Sequence, residues 1–76
     1  MTFSLTALEP LGLTRRETEV LYWVMQGKTN PEIASILSLS ALTIRTHLER
    51  VYQKLEVETR TAAAMQALEK LGFLQR

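Results

Sequence analysis

The chain has 76 residues, no cysteine, one histidine, and nine Lys and Arg against eight Asp and Glu, for a net charge of +1. Its length permits one small domain, and disulfide support is excluded, which suits a reducing compartment. Near-neutrality does not by itself argue for nucleic acid, so local charge placement must carry any such function. The apolar runs are too short for a membrane span or a signal-peptide core. No metal cluster, cofactor motif or Gly-rich phosphate loop is present, and no nucleophile–base pair marks an enzyme.

Residues 1–12 read as an irregular lead-in or linker stub with Pro10 and Gly12, though Phe3, Leu5, Leu8 and Leu11 are able to pack on a core. The domain proper is expected over 13–76 as an all-α, four-helix unit with no sustained strand alternation. The first helix spans about 15–26. Thr14 and Glu17 form a capping box ahead of it. Val20, Leu21 and Val24 share one face, with Trp23 and Met25 beside them, and Gly27 stops the helix as a left-handed residue. The second helix, about 30–37, repeats the device with Thr29 and Glu32 as its box and Pro31 in its first turn. Ile33, Ala34 and Leu37 face inward.

A third helix over about 41–55 follows Ser40, a good N-cap. Ile44, Leu48, Val51 and Leu55 fall at i, i+4, i+7 and i+11 and form an apolar stripe. Thr59 caps a fourth helix over about 60–71, ahead of Gly72. Two short amphipathic helices joined by a tight polar turn, the second with its own cap, have the layout of a helix-turn-helix.

With the apolar stripe of the third helix turned inward, Leu42, Thr46, Glu49 and Gln53 face outward, flanked by Arg45 and Arg50, with Thr43 and Lys54 on one shoulder. Arginine can pair with guanine, glutamate with cytosine N4, and an apolar side chain with a thymine methyl. Lysine and capped helix starts suit phosphates. The bland reading has comparable weight on charge alone, because Arg45 and Glu49 also make an ordinary i,i+4 surface pair. His47 reads as a packed, hydrogen-bonded side chain rather than a ligand or base. Glu17 reads as a cap rather than an acid. Tyr22 and Trp23 read as core or rim of the first helix rather than a stacking platform.

The segments LTRRETEVL, GKTNPEIA and LSALTIRTHLERVYQKLEV, followed by Arg60 and Ala63, resemble the LuxR/FixJ-type (GerE-like) C-terminal DNA-binding domain of bacterial transcription regulators over about Leu13 to Leu71. The ordered set Glu17, Leu21, Gly27, Ile33, Ala34, Ser40, Thr43, Ile44, Arg45, His47, Lys54, Leu55, Val57 and Arg60 carries the match. The resemblance implies sequence-specific binding of double-stranded DNA, with the helix at 41–55 in the major groove. Bases would be met by Leu42, Arg45, Thr46, Glu49 and Arg50, and phosphates by Thr29, Asn30, Ser40, Thr43 and Lys54. A bacterial cytoplasmic setting follows, with RNA polymerase as a further partner and no cofactor, membrane or small-molecule ligand for this domain. Members usually carry an N-terminal receiver or ligand-binding domain, so the chain is expected to be either a stand-alone regulator or an effector domain. It departs from the family at Ala41 and Leu42, at Glu49, and at Glu56 and Glu58, which stand where a Gly and a neutral or basic residue are common.

Two alternatives stay open: a helical protein–protein module that has lost DNA binding, and a sigma-factor region 4-like domain, against which the long segment after the third helix argues. In the fourth helix Ala63, Ala67 and Leu71 form an apolar strip that Ala64, Met65 and Leu68 widen beyond the need of one packed face. The excess is covered by the N-terminal segment or by Phe73 and Leu74, or it forms a weak two-fold contact through Ala64, Met65 and Leu68. The second is the expectation, in keeping with the family's habit of pairing this helix.

Overall fold

The computed structural model describes residues 11–70, so the expectations for Phe3, Leu5, Leu8, Leu71, Gly72, Phe73 and Leu74 lie outside the described residues. Four helices follow one another with no strand among the described residues: α1 (Arg15–Met25), α2 (Asn30–Leu37), α3 (Ala41–Leu55) and α4 (Arg60–Lys70). α1 packs against both α3 and α4, and α2 lies chiefly on α3. The core is the set of apolar positions spaced for one helix face: Val20, Leu21 and Val24 from α1, Ile33 and Ala34 from α2, the stripe Ile44, Leu48, Val51 and Leu55 from α3, and Ala63 and Ala67 from α4. Leu37 is only partly buried against this core, and Leu11 joins it from the lead-in. Tyr22 is buried, and its ring meets Trp23 edge-on at 4.7 Å between centroids.

The caps form as the local rules dictate. Both capping boxes are closed: the Glu17 N–H donates to Thr14 Oγ1 and the Thr14 N–H to Glu17 Oε1, and Glu32 and Thr29 exchange the same pair of bonds. Ser40 Oγ accepts from the Thr43 N–H, and Thr59 Oγ1 from the Ala62 N–H. At the other ends, α1, α2 and α3 all close with the paired bonds of a Schellman motif. Lys28 N–H donates to Trp23 O and Gly27 N–H to Val24 O; Leu39 and Ser38 do the same on α2, and Val57 and Glu56 on α3. The motif requires a left-handed residue. Gly27 supplies it at φ +83°, where an added Cβ would meet nothing, so the dihedral alone calls for glycine. Ser38 (φ 57°) and Glu56 (φ 58°) adopt the same conformation with a side chain attached.

Glu17 does more than cap. Its residue is 2% exposed, and Oε1 also accepts from Lys54 Nζ at 2.7 Å, across the interface between α1 and α3. Burial raises the pKa of this carboxyl, but the Lys54 hydrogen bond, the Thr14 N–H and the Lys54 charge together outweigh it and hold the group below its ordinary value.

Two outcomes follow. A left-handed L-residue costs about 1–2 kcal/mol, and glycine's extra freedom in the unfolded chain takes back about 0.4–1 kcal/mol. Glu56→Gly should therefore stabilise by roughly 0.5–1 kcal/mol, raising the melting midpoint by a few degrees. Glu56→Gln, which keeps the Cβ and removes a carboxylate the helix C-terminus disfavours, should gain only a few tenths of a kcal/mol; a gain equal to glycine's would show that charge, not the dihedral, is the cause. The second outcome is in pH. A depressed carboxyl stabilises the fold fully above its unfolded value, near 4.5, and loses that contribution as pH falls through the folded value. Thermal melts between pH 6 and pH 3 should show the wild-type midpoint dropping in the acid arm and Glu17→Gln dropping less. Equal drops would remove Glu17 as a source of the acid loss.

Candidate nucleic-acid interface

α2 and α3 meet at a three-residue turn, Ser38 to Ser40, and α3 shows its other side to solvent. Leu42 is 71% exposed, the most exposed large apolar side chain described, and Arg45, Glu49, Arg50 and Gln53 are exposed with it; Thr43 and Thr46 are partly covered. The outward placement read from the sequence is seen for Leu42, Arg45, Glu49, Arg50 and Gln53, and in part for Thr46. The apolar stripe is buried, and helical periodicity turns these positions outward.

The ion pair and hydrogen bonds already made within the row limit what each side chain still offers. Arg45 Nε lies 3.5 Å from Glu49 Oε2, both exposed, which leaves the two terminal nitrogens of the guanidinium uncommitted. Thr46 donates its hydroxyl to the Leu42 carbonyl, so it presents an acceptor and a methyl group. Ser40 Oγ and Thr43 Oγ1 are 2.9 Å apart. One donates to the other, so the pair keeps a single hydroxyl proton for an outside acceptor. Arg50 makes no ion pair among the described residues.

The residues expected at phosphates lie at the starts of α2 and α3 and the end of α3. The Thr29 N–H is held by Glu32, and Thr29 Oγ1 accepts from the Glu32 N–H, so its hydroxyl proton is the remaining donor. Those backbone and side-chain bonds from Thr29 also lower the pKa of the Glu32 carboxyl, keeping a negative charge in the first turn of α2. Lys54 is not a free cation: one N–H is bound to Glu17, and its side chain is 37% exposed. The ammonium has two further protons, but its charge is balanced by a buried carboxylate.

Two findings lie outside what the sequence suggested. Arg60, matched to the family without a role, reaches from the first turn of α4 to Asn30 Oδ1 and to the Lys28 carbonyl, both at 2.6 Å. It forms one wall of an open groove of about 520 Å³ that Lys28, Thr29, Asn30, Thr61 and Met65 also line. His47 is partly buried as expected, but not hydrogen-bonded as expected: Nδ1 is buried with no partner among the described residues.

No helix among the described residues is long and apolar enough to cross a membrane, and no group of His, Cys, Asp and Glu there could hold a metal.

The chain belongs to the GerE family, described as bacterial regulatory proteins of the luxR family, which matches residues 11–67. It is 43% identical over 61 residues to the transcriptional regulatory protein LiaR of Bacillus subtilis, covering 80% of this chain and 29% of that protein. It is similar to the nitrate/nitrite response regulator protein NarP of Escherichia coli, 40% identical over 60 residues, 79% of this chain and 28% of NarP. To the transcriptional activator protein AnoR of Acinetobacter nosocomialis it is 44% identical over 64 residues, 84% and 26% of the two chains. The chain thus spans less than a third of the length of these relatives.

Proposed function

We propose that this chain is the DNA-binding part of a bacterial transcription regulator, acting in the cytoplasm by placing α3 in the major groove of double-stranded DNA. The observation that carries the reading is the solvent row on α3, in which Leu42, Arg45, Thr46, Glu49 and Arg50 offer the groups that base edges pair with. Around it, Thr29, Asn30, Ser40, Thr43 and Lys54 offer hydroxyl, amide and ammonium donors for phosphates on either side. The relatives' names support transcription regulation as the outcome; RNA polymerase is a partner consistent with it.

A second reading, a helical protein–protein module without DNA affinity, is favoured by charge compensation at Arg45 and Lys54 and by exposed Glu56 and Glu58. Selection of binding sites from a random duplex pool, repeated at several salt concentrations, separates the two. Enrichment of a defined sequence supports the first reading; no retention of any duplex at low salt supports the second.

Pairing on DNA belongs to the same proposal. Met65 is 48% exposed on α4, with Ala64 and Leu68 partly buried beside it. Small residues next to an exposed methionine let two helices approach closely, and so small an interface would hold mainly when two half-sites one helical turn apart bring the copies together.

Two substitutions test the parts. Arg45→Ala should cost roughly 1–3 kcal/mol on the selected sequence and relax preference at one base position, read by competition with single-base variants. Equal affinity of wild type and variant for selected and random DNA would end the base-reading role. Met65→Glu should keep the helical circular dichroism and single-half-site affinity while abolishing cooperative binding to two half-sites; retained cooperativity would eliminate α4 as the pairing surface.

A further inference from the structure

An arginine is out of place at the first residue of α4. The helix macrodipole favours carboxylates there and disfavours cations, so the local rules do not account for Arg60. Its guanidinium instead crosses to the segment that joins α1 to α2, where Nη1 donates to Asn30 Oδ1 and Nη2 to the Lys28 carbonyl. The Lys28 N–H is already held by Trp23 O in the Schellman closure of α1. Both polar backbone groups of Lys28 are thereby fixed, and the first residue of α2 is tied to the first residue of α4.

The chemistry of the pair fixes more than position. A guanidinium only donates, so Asn30 must turn its oxygen toward Arg60. The amide nitrogen then becomes the side chain's free donor, with no hydrogen bond among the described residues. A freely rotating Asn would present oxygen or nitrogen to an approaching anion about equally, and the oxygen repels it.

We infer that Arg60 is a positioning residue for DNA binding: it holds Asn30 with the amide N–H2 as its only available group, so that the side chain meets a backbone phosphate as a donor. This rests on the DNA-binding reading above. It deepens that reading by assigning Arg60 a role exercised through Asn30 rather than by its own charge.

The test uses Arg60→Lys, Asn30→Ala and the double variant, titrated with duplex DNA at several salt concentrations, with melts to show that each is folded at the assay temperature. Lysine keeps the charge and loses the fork that grips two acceptors. Each single variant should bind all sequences roughly tenfold to a hundredfold more weakly, the worth of one hydrogen bond to a charged acceptor. The double variant should match the singles, and the salt slope should stay as in wild type. Wild-type affinity in Arg60→Lys, or additive losses in the double variant, would overturn the inference, because either means that Arg60 does not act through Asn30. Asn30→Ala keeps the bond from Arg60 to Lys28 and so tests the amide even where Arg60→Lys unfolds. In the free protein, the Asn30 side-chain amide resonances should be ordered in wild type and mobile in Arg60→Lys; equal mobility overturns the positioning role without DNA. If wild type holds no duplex at low salt, the DNA reading fails, and these resonances alone decide whether Arg60 orients Asn30.

Discussion

The Glu17 carboxylate, buried and bonded at once by the Thr14 N–H and the Lys54 ammonium, ties the start of α1 to the last turn of α3. An ionised carboxylate taken out of water is costly unless paired and hydrogen-bonded. The arrangement therefore persists only while α1 and α3 keep one relative register. The apolar stripe of α3 cannot impose that alone, because hydrophobic burial is non-directional and a helix can roll by several degrees without uncovering Ile44, Leu48, Val51 and Leu55. The direction of the outward row from Leu42 to Gln53 thus depends on a bond made on the opposite side of the same helix. Lys54 is on this account first a structural residue, and its two remaining N–H donors reach outward from a fixed point.

Arg60 does the corresponding work at the other end of α1. Its bonds to Asn30 Oδ1 and Lys28 O hold the α1–α2 connection against the start of α4. α1 is therefore clamped to α3 near its N-terminus and to α4 near its C-terminus, and α2 is carried between. A domain this small buries a modest core. Two directional charged contacts, each between residues 30 or more positions apart, supply the uniqueness of arrangement that so few apolar side chains leave loose.

What the sequence made legible follows from range. Capping boxes at Thr14 and Thr29, the glycine stop at Gly27 and the helix caps at Ser40 and Thr59 are read within three or four residues, and they appear as read. The stripe on α3 is a period, and a period fixes which side is outward. Glu17 was recognised as a cap because Thr14 is three residues away; its partner Lys54 is 37 residues away, and no spacing rule connects them. Arg60 escaped for the same reason, although a cation at a helix start was a local anomaly that could have flagged it. Ser38 and Glu56 were missed as left-handed residues because the expectation of a helix stop was built on glycine, whereas the Schellman bonds of α2 and α3 form around side chains that tolerate strain.

Charge compensation bears directly on the proposed DNA reading. Arg45 is paired with Glu49, Lys54 with Glu17, and Arg60 with neutral acceptors, in a chain whose net charge is +1. Under the proposed reading, these pairings would reduce counterion release, with Arg50 left as the row's cation without an ion pair among the described residues. Oriented neutral donors such as the Thr29 hydroxyl and the Asn30 amide would carry a larger share. Such donors need correct distance and angle and lose their worth when the register slips. Under the proposed reading, such an interface would bind little DNA at random, gain from a matched sequence, and gain again if pairing through α4 made the next half-site's encounter local rather than diffusive. On that reading, the directional bonds of Glu17 and Arg60 and the near-neutral charge would be two sides of one arrangement, in which geometry substitutes for charge.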